Sequence, residues 1–343
     1  MADARLSLAL AAPDAVPPEG RILLLRPAAQ RDLGDLPGAR LHVVQGFRPD
    51  HDALAAQGYS VSPEAQGSYA AAFVFVPRAR ALALALLAEA AARVAPGGPI
   101  WVDGAKTDGI DSVLKELRGR LAVGAPTAKA HGKIFRFASP GPAALADWQA
   151  IPSRPVPGFI TLPGVFSADA VDRGSALLAA VLPARLPARV ADLGAGWGWL
   201  SAQILAREGV QECHLVEAEH LALVCAKVNI ADARAHFHWA DATRFRPVAR
   251  FGAVVMNPPF HATRAADPAL GLAFIRAAQA MLSLSGTLYM VANRHLPYMP
   301  LLHDLFRSVE ELGADPAFRL LRAQDPVAAP ATAGAKQQHR ARR

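Results

Sequence analysis

Residues 189–200 begin with a short apolar segment, and glycines at alternate positions follow it. This arrangement constrains the fold more than any other part of the chain. The segment reads Arg189-Val-Ala-Asp-Leu-Gly-Ala-Gly-Trp-Gly-Trp-Leu200, and an amphipathic helix is predicted to follow over roughly 198–208. Gly194, Gly196 and Gly198 permit positive φ angles, so the backbone can approach a ligand without Cβ clashes. A strand, a glycine turn and a helix in this order predict an α/β sheet that binds a ligand at the carboxyl ends of its strands.

The glycine spacing favours S-adenosylmethionine over a dinucleotide as that ligand. A dinucleotide fingerprint requires glycine at the third position after Gly196, but residue 199 is tryptophan. Trp197 and Trp199 are bulky for a cofactor loop, and we expect them to pack against the sheet.

Acidic residues mark the ends of the neighbouring predicted strands. Asp192 lies within the glycine segment, and Glu217 ends His214-Leu-Val-Glu217. A carboxylate about 20 residues after such a loop accepts hydrogen bonds from ribose hydroxyls. Asp241 follows another short apolar segment, at the position that meets the adenine amino group in methyltransferases. We therefore assign Asp192, Glu217 and Asp241 to the cofactor, together with the three glycines.

A second strand end carries the reacting chemistry. The apolar run Val254-Val-Met256 stops at Asn257-Pro258-Pro259-Phe260, because proline cannot donate a ladder hydrogen bond. The residue before proline is extended, so Asn257 is presented at the edge of the sheet. The tetrapeptide resembles the active-site motif of methyltransferases that alkylate the NH2 of a planar amide-like group. An ordinary Pro-Pro turn is the alternative interpretation.

The charge of the chain is compatible with a nucleic-acid partner. The 343 residues include 36 basic and 29 acidic side chains, a net charge of +7. The last 13 residues supply four of these charges, from Lys336, Arg340, Arg342 and Arg343. Such a tail adds sequence-independent attraction for phosphates, although a solvated tail without a function explains it equally well.

Other features of the sequence point to a cytoplasmic protein. No hydrophobic run approaches the length of a membrane span, and the N-terminal Met-Ala-Asp-Ala-Arg lacks signal architecture. Cys213 and Cys225 are not spaced as a metal or redox pair. We expect two buried thiols in a reducing compartment, and no metal site.

The chain divides into two α/β halves in this interpretation. We predict a domain at 1–140, a proline-rich linker at 141–157, a catalytic domain at 158–328 and a basic disordered tail at 329–343. Strand-like runs in the first half lie at 21–25, 41–45, 72–76, 99–102 and 133–137, separated in part by helices at 78–94 and 108–119. No glycine loop follows the first of these strands. A degenerate copy that supports the active domain or binds RNA explains this half best, and an unrelated α/β module is the alternative.

Four segments together resemble the RsmC/RlmG group of bacterial ribosomal RNA guanine-N2 methyltransferases. They are Thr161-Leu-Pro-Gly-Val-Phe-Ser167, Asp172-Arg-Gly-Ser175, the glycine segment, and Asn257-Pro-Pro-Phe-His261. Val291-Ala-Asn-Arg-His-Leu-Pro-Tyr298 also matches that group. The resemblance implies two tandem Rossmann-like methyltransferase domains, of which only the second binds S-adenosylmethionine.

The resemblance also implies roles for the site residues. The Asn257 side-chain carbonyl and the Pro258 backbone carbonyl would accept the two N–H groups of a guanine amine, and Phe260 would stack on the base. Phe166, His261 and Arg294 are further candidates for contacts with ribosomal RNA.

Two kinds of alternative stay open from the sequence. The same motif serves enzymes that methylate adenine N6 or glutamine amides of proteins, and a non-catalytic cofactor-binding ribosome-assembly factor would share the tandem layout. The segment at 161–167 favours ribosomal RNA, most simply the small-subunit RNA.

Overall fold

A computed structural model describes residues 4–12, 14–259 and 268–327, and the tail predicted at 329–343 lies outside this range. The described residues form two seven-stranded sheets. The described residues of 1–172, 194–203 and 215–242 form one compact unit. Those of 173–193, 204–214 and 243–343 form a second. The divisions at residues 140, 157 and 328 stay a prediction.

The first sheet is built from the N-terminal part of the chain. Its elements are α1 (Ala4–Leu10), β1 (Ile22–Leu25), β2 (Leu41–Val44), α2 (Arg48–Ala56), β3 (Val61–Ser62), β4 (Ala71–Phe75), α3 (Arg80–Arg93), β5 (Pro99–Ala105), α4 (Ile110–Arg118), β6 (Thr127–Lys129) and β7 (Gly132–Ala138). Short 3-10 segments lie at Gly38–Arg40, Lys106–Asp108 and Pro142–Trp148. The strand order is β3-β2-β1-β4-β5-β7-β6, with β7 antiparallel to both of its neighbours. Each strand and helix predicted in this half is present, with ends shifted by a few residues.

The core of the first sheet follows from its apolar strands. Strands β1 and β4 read Ile-Leu-Leu-Leu and Ala-Ala-Phe-Val-Phe and are buried along their whole length, as expected for central parallel strands covered on both faces. Leu145 and Trp148, from the segment predicted as a linker, pack into the core that α3 covers. The first part of that segment therefore belongs to the packing of this sheet.

The second sheet repeats the same strand order. Its elements are α5 (Arg173–Val181), β8 (Arg189–Leu193), α6 (Trp199–Leu205), β9 (Glu212–Glu217), α7 (His220–Asn229), β10 (Ala235–Trp239), β11 (Phe251–Met256), α8 (Pro268–Met281), β12 (Leu282–Asn293), α9 (Met299–Leu305), β13 (Phe306–Ala314) and β14 (Phe318–Pro326). The order β10-β9-β8-β11-β12-β14-β13 places β8 where the first sheet has β1, and β11 where it has β4. The prediction of two tandem Rossmann-like sheets is confirmed.

Two parallel strands carry the predicted site. Strands β8 and β11 pair in parallel, with Asp192 opposite Val255 and Leu193 opposite Met256. Parallel pairing brings their carboxyl ends to one edge of the sheet, which is where the glycine segment and Asn257 begin. Among the described helices, none is both long and apolar enough to span a bilayer.

Candidate active site

The glycine loop after β8 adopts the conformation that its sequence predicts. Gly194, Gly196 and Gly198 have φ angles of +77°, +57° and +88°, all in the left-handed region. A Cβ atom added at Gly196 would meet no atom within 4 Å, whereas one at Gly198 would lie 2.8 Å from Ile230 Cδ1. Gly198 therefore permits close packing on α7, whereas the Cβ position of Gly196 faces open space.

Glu217 lies beside this loop, at the end of β9. Its Oε2 accepts the Gly196 N–H at 2.8 Å, and its Oε1 accepts the Glu219 N–H at 2.7 Å. Burial raises the pKa of the Glu217 carboxyl above its ordinary value, and the N–H groups of Glu219 and Gly196 oppose that shift. The structure thus brings together two of the predicted cofactor residues, Glu217 and Gly196.

Asp241 follows β10 and Asp192 lies within β8, the two strands on either side of β9. Asp241 is half-buried and follows Ala240, whose N–H donates to the Glu217 carbonyl at 3.0 Å. This bond holds the turn after β10 against the end of β9. Asp192 is 1% exposed, within β8. Their assignment to the cofactor stays a prediction.

Trp197 anchors the glycine loop, but not to the sheet as predicted. Its side chain is 4% exposed and packs in a cluster with Val165, Ala222 and Cys225, so its neighbours are α7 and the segment before α5. The indole N–H donates to the Phe166 carbonyl at 3.1 Å. The loop accommodates this large ring because the ring is buried in that cluster.

Phe166 is consequently held next to the loop by its backbone, while its ring is 62% exposed. Exposure of a large aromatic ring at this position suits a surface that receives a base.

Asn229, the last residue of α7, supports the glycine loop, and the sequence analysis did not identify it. Its Nδ2 donates to the carbonyls of Trp197 at 2.8 Å and Ile160 at 2.9 Å, and its Oδ1 accepts the Ile160 N–H at 2.7 Å. One amide at the end of α7 therefore joins the glycine loop to the segment that carries Phe166. No sequence signal marks it, because its partners lie 32 and 69 residues away.

Asn257 follows β11 and is oriented by a serine. Its Nδ2 donates to Ser175 Oγ at 2.9 Å, in the first turns of α5. This bond assigns the amide nitrogen of Asn257 to the serine hydroxyl. Ser175 lies in the Asp172-Arg-Gly-Ser175 segment, which the sequence singled out without assigning a role to the hydroxyl.

The prolines after Asn257 differ in their surroundings. Pro258 is buried and Pro259 is exposed, so the turn is fixed on one side and open on the other. Phe260 and His261 lie outside the described residues, and their roles in stacking and substrate contact stay predictions.

Arg294 is occupied by contacts within its own sheet. Its guanidinium donates to the Asp315 carbonyl at 2.9 Å, to the Phe318 carbonyl at 3.2 Å and to Glu311 Oε1 at 2.6 Å. These bonds tie the end of β12 to the turn between β13 and β14. They favour a structural role over the predicted contact with RNA phosphate.

Comparison with known proteins agrees with this geometry. Residues 157–322 match the family model of the methyltransferase small domain. Ribosomal RNA small subunit methyltransferase C of Pseudomonas paraeruginosa is 31% identical over 271 residues, which cover 76% of this chain and 80% of that protein. The chain belongs to the ribosomal RNA small subunit methyltransferase C family. The family member of Stutzerimonas stutzeri is 29% identical, over 89% of this chain and 94% of its own.

A solved family member shares the whole architecture. The 16S rRNA N2 G1207 methyltransferase of T. thermophilus, in complex with AdoMet and guanosine, superimposes with a TM-score of 0.77 at 27% identity. The match covers 94% of this chain and 92% of that one. Both sheets therefore belong to the family fold, including the first sheet, which carries no glycine loop.

Proposed function

We propose that this member of the methyltransferase C family transfers a methyl group from S-adenosylmethionine to the exocyclic N2 amine of a guanine in small-subunit ribosomal RNA. The observation that carries the proposal is the Asn257 amide, oriented by Ser175 at the end of β11, on the strand that pairs with the one leading into the glycine loop. The guanine that corresponds to the T. thermophilus G1207 is the first position to test. An enzyme of ribosomal RNA would act where ribosomes are, in the cytoplasm.

The residues of the glycine loop fit the cofactor. S-adenosylmethionine, when bound, supplies an electrophilic methyl group on a sulfonium. The open side of Gly196 admits the ligand close to the backbone, Glu217 offers a carboxylate to the ribose, and Asp241 faces the adenine amine in this proposal.

The substrate amine needs alignment more than it needs a strong base. The lone pair of a guanine amine is delocalised into the ring, which makes the nitrogen a poor nucleophile. Two acceptors, the Asn257 side-chain carbonyl and the Pro258 backbone carbonyl, would hold its two N–H groups and direct the lone pair at the methyl group. Alignment of this kind contributes about 7–11 kcal/mol in well-oriented reactions. After transfer, the positively charged amine loses a proton to water without a dedicated base.

A base must leave its stack to reach this site. Extrusion of one nucleotide costs a few kcal/mol, and stacking on an aromatic ring returns roughly 1–3 kcal/mol. Phe166, which is exposed, would make such a contact in this proposal, and Phe260 is the second candidate. Sequence position and exposure support the assignment of Phe166, and sequence position supports that of Phe260.

Nucleoside mass spectrometry of 16S ribosomal RNA from a deletion strain tests the proposed function. We expect N2-methylguanosine at one position to disappear, and to return with the wild-type gene but not with an Asn257→Ala allele. Unchanged RNA together with a loss of methylated adenine or of a methylated glutamine in a protein would contradict it. Assays of purified enzyme with naked RNA and with small subunits then identify the form of the substrate.

Ser175 is expected to act as a positioning residue for Asn257. The change Ser175→Ala removes an acceptor of the Asn257 Nδ2–H, so the amide is held less firmly in the orientation that presents its carbonyl to the amine. We expect kcat to fall about tenfold, or about 1.4 kcal/mol, with the Kd for S-adenosylmethionine unchanged by calorimetry. Ser308→Ala, at an exposed serine of β13, is the matched control. A Ser175→Ala enzyme with normal kcat would show that the bond does not orient Asn257.

A further inference from the structure

Arg26 stands where the first sheet would need a glycine loop. It follows β1 as Gly194 follows β8, and its backbone has a φ angle of +58°. Side chains rarely adopt this left-handed conformation, and such strain persists where the surrounding contacts over-determine it, often at functional sites. For Arg26 the surrounding contact is a two-pronged ion pair.

The partner of Arg26 is Glu219, in the loop that carries the ribose-binding candidate. Arg26 Nη1 donates to Glu219 Oε1 at 3.1 Å and Nη2 donates to Glu219 Oε2 at 2.6 Å, across 193 residues of sequence. Both side chains are largely buried, with 17% and 20% exposed. Glu219 and Glu217 both belong to residues 217–220, the acid loop. Within it the Glu219 N–H donates to Glu217 Oε1 at 2.7 Å. The residue that pairs with Arg26 is therefore hydrogen-bonded directly to the Glu217 carboxylate.

The turn after β2 holds the acid loop through backbone bonds. The Gly46 carbonyl accepts the His220 N–H at 2.9 Å, and the Arg48 N–H donates to the Ala218 carbonyl at 2.8 Å. The approach is close, since a Cβ at Gly46 would lie 2.8 Å from Glu219 Oε1 and would displace that carboxylate. Residues on both sides of Glu219 are therefore held by the first sheet.

The turn after β10 is held by the same segment. The Trp239 indole N–H donates to the Gly46 carbonyl at 3.1 Å and to the Ala218 carbonyl at 2.9 Å. The Arg48 guanidinium lies over the Trp239 ring, 4.8 Å from its centroid, and donates to the Trp239 carbonyl at 3.2 Å. Trp239 is two residues before Asp241, the candidate for the adenine. The first sheet thus contacts both segments that are proposed to bind the nucleoside part of the cofactor.

We infer that the strand-end loops of the first sheet clamp the acid loop, with Arg26 as a positioning residue that acts on Glu217 through Glu219. The charge of Glu219 disfavours ionisation of Glu217 and thereby raises its pKa, although less than burial does. Arg26 pairs with Glu219 and fixes its side chain, and this keeps the acid loop, with Glu217, in place for a ribose. The edge of the first sheet, which carries no glycine loop after β1, thus holds the acid loop that follows β9.

Calorimetric titration of the full chain with S-adenosylmethionine tests the clamp. The change Arg26→Met leaves Glu219 charged and unpaired beside Glu217, and we expect the Kd to rise about tenfold, within the usual range of coupling between sites. Glu219→Gln removes the charge and keeps an acceptor for Arg26, so its loss should be smaller, about threefold. The double variant should bind better than Arg26→Met alone. Arg80→Met removes another two-pronged ion pair, between Arg80 of α3 and Glu116 of α4, and should leave the Kd unchanged.

The pattern of the variants separates positioning from simple bracing. We expect kcat at saturating cofactor to stay within about twofold in Arg26→Met, since the clamp acts on binding. A purely structural brace predicts equal losses for both single changes and no recovery in the double variant, which would overturn the inference. Wild-type affinity in a folded Arg26→Met protein would overturn it as well. Arg26→Gln serves the same comparison should the methionine variant not fold.

The inference rests on the cofactor binding that the proposed function requires, and the two can fail separately. If the unaltered chain does not bind S-adenosylmethionine, the proposed function fails. If the chain binds it and the Arg26 variants bind equally well, only the clamp fails.

Discussion

Replacement of Asn257 by alanine is expected to lower kcat for methyl transfer by at least about a hundredfold, the usual loss when one hydrogen-bonding group that acts in the transition state is removed. The side-chain carbonyl of Asn257 is one of two acceptors proposed for the guanine amine, and alanine offers no acceptor in its side chain. The Kd for S-adenosylmethionine should change by less than about tenfold, or about 1.4 kcal/mol, because Asn257 is proposed to bind the substrate amine and not the cofactor.

Two measurements on the same preparation decide the role of Asn257. Single-turnover methylation of the RNA gives the rate of the chemical step, and calorimetry gives the affinity for the cofactor. Gln279→Ala is a matched control, since that side chain is an amide that donates to the Val327 carbonyl at 2.7 Å, within the same compact unit. A parallel loss of activity and of cofactor affinity in Asn257→Ala would mean that Asn257 holds the strand end and not the amine.

Replacement of Gly196 by valine is expected to remove detectable binding of S-adenosylmethionine. The new side chain would enter the open space that Gly196 lines, where the backbone is proposed to approach the cofactor. Its β-branched side chain also disfavours a φ angle of +57°, at a cost of about 1–2 kcal/mol in the free energy of unfolding. The protein should therefore fold with somewhat lower stability and lack cofactor binding by calorimetry.

Gly58→Val isolates the backbone contribution to this result. Gly58 has a φ angle of +90° and no atom within 4 Å of its Cβ position, but it lies in the exposed turn after α2. The two variants should lose similar stability in thermal melts, and only Gly196→Val should lose the cofactor. Retained affinity in Gly196→Val would disprove the assignment of the loop.

Much of the fold was predictable because its signals are local. Continuous apolar runs predicted the buried strands of both sheets, and the alternate glycines predicted a turn with positive φ angles after β8. The helix that follows is shorter than predicted, Trp199–Leu205 against roughly 198–208. The chain turns after Leu205, and the backbone of Glu208 forms an isolated β-bridge with that of Arg185. At Gly209 a Cβ would lie 2.5 Å from the Leu186 carbonyl. That constraint comes from another segment, which periodicity does not register.

The candidate site was predictable in its residue types and not in its support. Asn257 and Glu217 are recognisable because they end apolar segments and belong to spaced motifs. Ser175 belongs to a recognised segment, but its bond to Asn257, 82 residues away, leaves no mark in the sequence. Asn229 belongs to no such motif. Trp197 was expected on the sheet and instead packs against α7, because α7 and the segment before α5 provide the apolar surface next to it.

The sequence alone determined the features that contiguous residues control: strand ends stopped by proline, glycines that admit positive φ angles, and acidic residues at the ends of apolar runs. Steric limits on φ and ψ act within a few residues, so these features are readable without a partner. Only the tertiary structure decided which groups hold the site residues, as with the Ser175 hydroxyl on Asn257 and Arg26 on the acid loop. Those contacts join residues far apart in the chain, and they exist only because packing of the two sheets and their helices brings the side chains within hydrogen-bonding distance.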